Sequence, residues 1–105
     1  MSTRSSRRRF LSRLRSGLGV VWPIASGLVG TIVALGIVIG FVEGWSLSQS
    51  VYFAFVTGLT IGFGDLVPKL LLTRALAVAI GFMGILLTAL LAAVSVKALG
   101  GDADA

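Results

Sequence analysis

A six-residue motif in the middle of the chain, TIGFGD (residues 60–65), places two glycines, an aromatic ring and a carboxylate between two hydrophobic stretches. Glycine favours neither helix nor strand, and a carboxylate at membrane depth is costly, so the motif is either a plain turn or a site. Gly62 and Gly64 alternate with Ile61 and Phe63, and the two glycines can adopt backbone angles that other residues avoid. Such an alternation can direct successive carbonyls to one side, where they replace the hydration shell of a monovalent cation. The chemistry predicted here is therefore cation coordination by backbone oxygens.

The elements around this motif are expected to complete such a site. The side chains of Ile61 and Phe63 would point outward into surrounding helices, and Thr60 would add a hydroxyl oxygen at the inner end. A short helix directly before the motif would direct its negative C-terminal dipole end towards the ion path, which favours a cation. One chain supplies only one side of a ring of oxygens, so several chains must assemble.

The composition indicates a membrane protein. Of the 105 residues, 56% are hydrophobic and only 12% are charged, with a mean hydropathy of +1.03; a soluble domain is about a quarter charged. The chain has no Cys and no His, which excludes disulfides, thiolate chemistry and imidazole catalysis. Its four acidic residues, two of them in the terminal GDADA, provide no carboxylate cage for a metal. No pairing of a nucleophile with a base indicates an enzyme.

Two uncharged stretches predict transmembrane helices. Residues 20–42 form an outer helix of about 35 Å, long enough to cross a core of about 30 Å, with Pro23 in its first turn where proline is tolerated. The second uncharged stretch, residues 75–96, lies within an expected inner helix at residues 70–99. The N-terminal arm and Lys97 together carry seven of the nine Lys and Arg residues, and only Lys69 and Arg74 lie between the two uncharged stretches. The positive-inside rule therefore places both termini in the cytoplasm of a multi-pass protein.

Between the two spans the sequence predicts a re-entrant helix. Residues 47–58 (LSQSVYFAFVTG) are mostly apolar but too few to cross a membrane. Ser46 or Ser48 can cap this helix, and Gly58 marks its end. A filter loop at 60–65 follows directly, and Pro68 interrupts the chain before the second span. Residues 20–99 are thus expected to form one pore domain, preceded by an arm at 1–19 and followed by a short tail at 100–105.

The arm at 1–19 is strongly basic. Phe10, Leu14 and Leu18 recur at four-residue spacing, so a helix here would place an apolar stripe on a basic body that contacts an anionic membrane surface. A disordered tail that only orients the first span is an equally open alternative. Nucleic-acid binding is disfavoured because no aromatic platform accompanies the arginines. The side chains expected to contact lipid are Arg7, Arg8, Arg9, Arg13 and Arg15.

The motif TIGFGD resembles the selectivity filter of potassium channels, in which rings of backbone carbonyls replace the hydration shell of the ion. Residues 43–99 resemble the pore module of bacterial two-transmembrane potassium channels, including the short helix, the sequence GDLVP and a glycine in the second span. The GFG form is similar to filters of two-pore-domain potassium channels. The resemblance implies an all-α membrane protein that assembles as a homotetramer around one axial filter in the inner (plasma) membrane of the cell. It also implies K⁺ ions in the filter and no organic cofactor.

The resemblance also implies individual roles. Gly64 completes the filter, and Asp65 lies at its outer mouth, where it raises the local cation concentration or hydrogen-bonds behind the filter. Two residues of the short helix support the filter and depart from relatives: Phe53 would pack where Phe63 has no hydroxyl to donate, and Val56 stands where several bacterial relatives have a carboxyl partner for the aspartate. The ion-coordinating oxygens come from Thr60, Ile61, Gly62 and Phe63.

For the second span the resemblance implies a cavity and a gate. Gly84 falls at the position of a gating-hinge glycine, and Gly81 is close enough to be the hinge instead. A packing role for either glycine stays open. Val96 would approach the inner gate. No arginines recur at three-residue spacing within a span, so no voltage sensor is expected. The residues implied to line the cavity are Ile85, Thr88 and Ala92.

Two other functions fit the same sequence less well. A weakly selective Na⁺/K⁺ channel on the same scaffold would differ only in filter chemistry, and the intact GFG favours potassium. A non-conducting membrane anchor or accessory subunit would leave the short helix, both filter glycines and Asp65 without a role.

Overall fold

The computed structural model describes the backbone of residues 3–104 and the side chains of residues 6–99. Over that range the chain forms three helices and no strand: α1 (Thr3–Glu43), α2 (Leu47–Gly58) and α3 (Leu71–Asp104). The all-helical prediction is confirmed. Helix α2 has the bounds expected for the short helix between the two spans.

Local sequence explains where α2 begins and ends. Ser46 is its N-cap, and its hydroxyl accepts a hydrogen bond from the backbone N–H of Gln49, while the Gln49 side chain accepts one from the Ser46 N–H. This reciprocal capping box satisfies two donors that the first turn of a helix would otherwise leave unpaired. At the other end, the N–H of Leu59 bonds back to the Phe55 carbonyl before the chain leaves the helix.

Helix α1 differs from the prediction because it begins at Thr3 instead of at residue 20. The basic arm is therefore helical and continuous with the outer helix, and it is not a separate segment. Pro23 consequently lies deep inside α1, and the prediction that it occupies a first turn is wrong. It removes the N–H that would bond the Gly19 carbonyl, a loss that helices at membrane depth can tolerate when neighbouring groups compensate. Helix α3 likewise continues through Asp104 and includes most of the expected tail.

Small residues bring α1 and α2 close together. A Cβ atom at Gly40 would overlap the Ser50 side chain, and one at Gly36 would meet the backbone carbonyl of Ser50 at 3.0 Å. Ser50 is itself almost fully buried, and its hydroxyl donates to the Ser46 carbonyl at 2.8 Å. Small residues allow helix backbones to approach this closely. Gly27 and Gly30, by contrast, have open space around them within the chain.

The core lies where all three helices meet. Its buried members come from each helix, and Trp45, Leu66 and Met83 pack around them. Apolar side chains elsewhere on α1 and α3 face outward, such as Phe41 and Phe82. The buried members of this core cluster are Ile32, Ile39, Phe53, Ala54 and Ile80.

The inner ends of the two long helices also pack together. A Cβ at Gly17 would meet Cγ1 of Val94 at 2.8 Å, so the arm of α1 lies directly on α3 at this point. Val94 and Ala98, one turn apart on α3, are both buried. The arm is therefore the first part of α1 and packs against α3 at Gly17.

Two of the helices are long and apolar enough to cross a membrane, over Ser6–Glu43 and Leu71–Leu99. The 12 residues of α2 extend only about 18 Å, which is too short for a span. Helix α2 thus sits between two long helices and positions the loop that follows it.

Candidate ion-conduction site

The loop after α2 is folded back onto the end of that helix. The N–H groups of Ile61 and Gly62 both donate to the Val56 carbonyl, at 2.9 and 3.3 Å, and the N–H of Thr60 donates to the Thr57 carbonyl at 3.1 Å. All described peptide bonds are trans, and in a trans peptide the C=O points opposite to the N–H. The carbonyls of Thr60 and Ile61 therefore point away from α2. Two successive oxygens are turned to the side of the loop that the helix does not occupy.

The backbone of this loop alternates in handedness. Gly62 has φ of +61° and Gly64 has φ of +81°, in the left-handed region that glycine adopts without a steric penalty. Thr60 also has φ of +61°, which the sequence did not signal, because a β-branched residue rarely adopts this region. Strain of this kind costs roughly 1–3 kcal/mol and is typical of functional sites. Positive φ thus recurs at every second residue of the motif.

The side chains of the filter loop are not covered by their own chain. Ile61 is 49% exposed and Phe63 is 68% exposed, although both are large and apolar. The prediction that they point into surrounding helices concerns neighbouring copies, and it stays a prediction. Within one chain this loop presents an apolar surface that other elements must cover.

Asp65 has a partner that sequence reasoning missed. The hydroxyl of Tyr52, on α2, donates to the Asp65 carboxylate at 2.9 Å. This hydrogen bond raises the pKa of Tyr52 above its usual value, and desolvation and the negative charge of Asp65 raise it further. Val56, the position expected to matter for this aspartate, is a buried apolar residue. The signal for this partner in the sequence is Tyr52, one turn before Val56. An aromatic residue at such a position is also typical of a membrane interface.

Phe53 belongs to the core under the filter. Its ring meets that of Trp45 edge-on, with centroids 5.0 Å apart and an angle of 61° between the planes. Edge-to-face pairs of this kind contribute about 0.5–1.5 kcal/mol beyond the area that they bury. Aromatic packing therefore anchors α2 against the connection from α1, which lies behind the loop.

The chain after the filter is tied to both long helices. The carboxylate of Glu43, at the end of α1, accepts a hydrogen bond of 2.7 Å from the backbone N–H of Lys69. The guanidinium of Arg74, in the first turn of α3, donates from Nε to the Pro68 carbonyl at 3.2 Å. Together with the Tyr52–Asp65 bond, these contacts attach residues 65–69 to all three helices. Neither Glu43 nor Arg74 was assigned a role from the sequence.

Below the filter, α3 lines a groove of about 350 Å³. The three residues predicted to line a cavity, Ile85, Thr88 and Ala92, lie on one face of α3 and border it together with Ala89. Thr60, at the start of the loop, also lines the groove. Val96 is one turn beyond Ala92 and exposed. The groove therefore extends from the filter loop to Ala92, one turn before the residue expected at the gate.

The two glycines of α3 that are candidates for a gating hinge differ sharply in their surroundings. Gly84 is buried, and a Cβ there would overlap the backbone of Gly58, the last residue of α2. Gly81 has nothing within 4 Å of its Cβ position. The sequence leaves open whether Gly84 is a hinge or a packing residue, and its contact with Gly58 is a packing contact.

The arginines of the arm lie on different sides of α1. Arg7, Arg8 and Arg15 are exposed, whereas Arg9 and Arg13 are partly buried. Phe10 and Leu14 of the expected apolar stripe are partly buried too, and Leu18 is exposed. The predicted contact of these arginines with lipid stays a prediction. Among the described residues, no three His, Cys, Asp or Glu side chains are grouped so that they could hold a metal.

Comparison with known proteins places this geometry in a family. A family model described as an ion channel matches residues 26–100, which contain the C-terminal part of α1, the whole of α2, the filter loop and most of α3. No solved structure matches the chain significantly.

Curated relatives carry channel names. Potassium channel subfamily K member 16 of Homo sapiens is 41% identical over 56 residues, which cover 53% of this chain and 18% of that protein. Potassium channel subfamily K member 4 of Mus musculus is 35% identical, covering 57% of this chain and 20% of its own length. Member 13 of Rattus norvegicus is 69% identical over 27 residues, 26% of this chain and 7% of its own. The chain spans about a fifth of the length of the first two relatives.

Because the family model covers well over half of the sequence, the chain belongs to the ion channel family. The family and the two apolar helices indicate a membrane protein of the channel class and not an enzyme.

Proposed function

We propose that this protein is a potassium-selective channel that conducts K⁺ passively through a tetrameric TIGFG filter. One observation carries the proposal. The loop at 60–64 has positive φ at every second residue, and its first two carbonyls point away from the helix that holds it. Repeated around a fourfold axis, such a loop supplies rings of oxygens at the spacing that a dehydrated monovalent cation requires.

The proposed ion path follows from this arrangement. Thr60, Ile61, Gly62 and Phe63 contribute the coordinating oxygens, and Gly64 completes the loop. The carboxylate of Asp65 attracts cations to the outer mouth. The groove below Thr60 becomes one quarter of a water-filled cavity once four chains surround it. Irregular backbone at membrane depth is tolerated only when it is buried in protein or lines such a path, which fits this location.

Two further observations support assembly and selectivity. The exposed Ile61 and Phe63 need covering by neighbouring copies, which a homotetramer provides. Three relatives bear the name potassium channel, and their similarity to this chain supports potassium as the conducted ion. Conduction down the gradient requires no cofactor other than the K⁺ ions themselves, and each ion gains roughly 2.3 kcal/mol per 100 mV.

The proposed setting is the inner (plasma) membrane of the cell, with both termini in the cytoplasm. The basic arm then lies on the cytoplasmic side, where anionic lipids attract Arg7, Arg8 and Arg15. Because the arm and the first span belong to one continuous helix, these arginines would contact lipid close to the end of that span.

Cation flux into liposomes containing the purified protein tests the proposal. We expect barium-sensitive K⁺ flux without Na⁺ flux. Gly64→Ala, which forces a side chain into φ of +81°, should abolish the flux or its selectivity for K⁺. Gly30→Ala is the control, because there is open space around Gly30, and it should leave the flux unchanged. Equal K⁺ and Na⁺ fluxes would assign the protein to the weakly selective cation channels. No flux from any variant under any gradient would contradict the proposal.

A further inference from the structure

The last residue of the short helix, Gly58, is enclosed by the backbone of Gly84 and by isoleucine side chains from the two long helices. A Cβ placed on Gly84 would overlap the Gly58 carbonyl oxygen and lie 2.7 Å from its carbonyl carbon and 2.9 Å from its Cα. On the other side, a Cβ on Gly58 would meet Cγ2 of Ile32 at 3.2 Å and Cγ2 of Ile80 at 3.9 Å. The end of α2 is therefore held backbone against backbone on α3, with α1 behind it.

This contact lies two residues before the filter. Thr60 is bound to the Thr57 carbonyl, and the next two N–H groups are bound to the Val56 carbonyl, all within the last turn of α2. Any displacement of Gly58 therefore moves the acceptors that direct the Thr60 and Ile61 carbonyls. The backbone of α3 at Gly84 sets the position of this turn because no side chain lies between the two helices there.

Helix α3 presents a second face at the same level. Ile85 and Thr88 line the groove below the filter, and the Thr88 hydroxyl donates to the Gly84 carbonyl at 2.9 Å. A single turn of α3 thus contacts the filter helix on one side and lines the proposed ion path on the other. Movement of this turn is transmitted to both.

We infer that Gly84 is a positioning residue for the filter: the absence of its side chain seats the end of α2 at the height where the filter carbonyls are selective. The inference rests on the proposed function. It assigns to Gly84 an effect on selectivity that a hinge glycine acting on a distant inner gate would not have. Gly81, one turn earlier and in open space, has no such effect.

The test compares Gly84→Ala with Gly81→Ala, which make the same chemical change in the same helix. In liposome flux, Gly84→Ala should raise the ratio of Na⁺ flux to K⁺ flux about fivefold or more, the factor that corresponds to the lower end of the cost of overpacking. Gly81→Ala should keep the wild-type ratio. A wild-type ratio in folded Gly84→Ala, or the same change in both variants, would overturn the inference.

A second readout is independent of conduction. Hydrogen exchange of the Ile61 and Gly62 amides should become faster in Gly84→Ala and stay unchanged in Gly81→Ala. If wild-type protein conducts no K⁺, the proposed function fails, while the exchange result still decides whether Gly84 positions the loop.

A milder variant covers the case in which Gly84→Ala does not fold. Gly58→Ala introduces a tight contact of 3.2 Å with Ile32, which a small shift can relieve. It should change the flux ratio and the amide exchange in the same direction as Gly84→Ala but by less. Wild-type behaviour of Gly58→Ala in both measurements would then overturn the inference.

Discussion

The bond between Glu43 and the backbone of Lys69 predicts a measurable effect on the lifetime of conduction. This contact joins the end of α1 to the chain directly after the filter, 26 residues away in sequence. Replacing Glu43 by Ala removes the only acceptor that the structure gives to this N–H. The segment that follows Asp65 is then held by fewer contacts, and we expect the conducting form of the filter to lose stability relative to a collapsed form.

The magnitude follows from the chemistry of the bond. At 2.7 Å it is a short hydrogen bond to a carboxylate, a class that contributes about 1.5–3 kcal/mol. Glu43 is partly exposed, so water competes for the carboxylate and the lower end of that range applies. A loss of about 1.4 kcal/mol shifts an equilibrium about tenfold. Glu43→Gln keeps a carbonyl oxygen at the same reach and should lose only a fraction of this.

Potassium current through liposome patches is the assay. After opening, the ratio of conducting to collapsed channels at the steady level should be about tenfold lower in Glu43→Ala than in wild type. Glu43→Gln should remain close to wild type. Lys69→Ala is the matched control, because it removes the side chain and leaves the bonded N–H in place. Decay of Glu43→Ala at the wild-type level, or equal defects in Glu43→Gln and Glu43→Ala, would refute the reasoning.

Three other outcomes are expected. Tyr52→Phe, which deletes the hydroxyl bound to Asp65, should speed the decay of current, measured in the same patches; an unchanged decay would mean that this bond does not hold the outer mouth. The raised pKa of Tyr52 means that the phenol stays protonated in the folded protein at pH values where it would ionise when unfolded. Its stabilisation is therefore complete below the usual value of 10.0 and is lost only as pH rises through the higher folded value, so decay measured from neutral pH to about pH 9 should be constant in wild type. Gly40→Ala, which drives a methyl group into Ser50, should lower the midpoint of thermal unfolding in detergent through an overpacking cost of about 1–3 kcal/mol, whereas Gly30→Ala should not lower it.

Several features of the fold are readable from the sequence because they are encoded within one or two turns. The bounds of α2 follow from the Ser46 cap with Gln49 and from Gly58, all local signals. The common face of Ile85, Thr88 and Ala92 follows from helical periodicity alone. Positive φ at Gly62 and Gly64 follows from the freedom of glycine at alternate positions.

The extent of the long helices was harder to read. Nothing in residues 3–19 is incompatible with a helix, but a polar basic segment of that kind gains stability mainly when it packs, and the contact between Gly17 and Val94 is not visible in the sequence. Pro23 is compatible with a first turn, but α1 continues through it from Thr3. Local propensity decided α2, and long-range contact decided the arm of α1.

The sequence by itself determined the class of the protein: two apolar spans, a short capped helix between them and a glycine-alternating loop at its end. Only the tertiary structure decided which side chains hold that loop. The bonds from Tyr52 to Asp65 and from Glu43 to Lys69 join residues 13 and 26 positions apart, and the contact of Gly84 with Gly58 joins different helices. Which residues pair in these contacts depends on how the three helices pack. Helical periodicity in the sequence shows the faces of each helix but not the distances between helices.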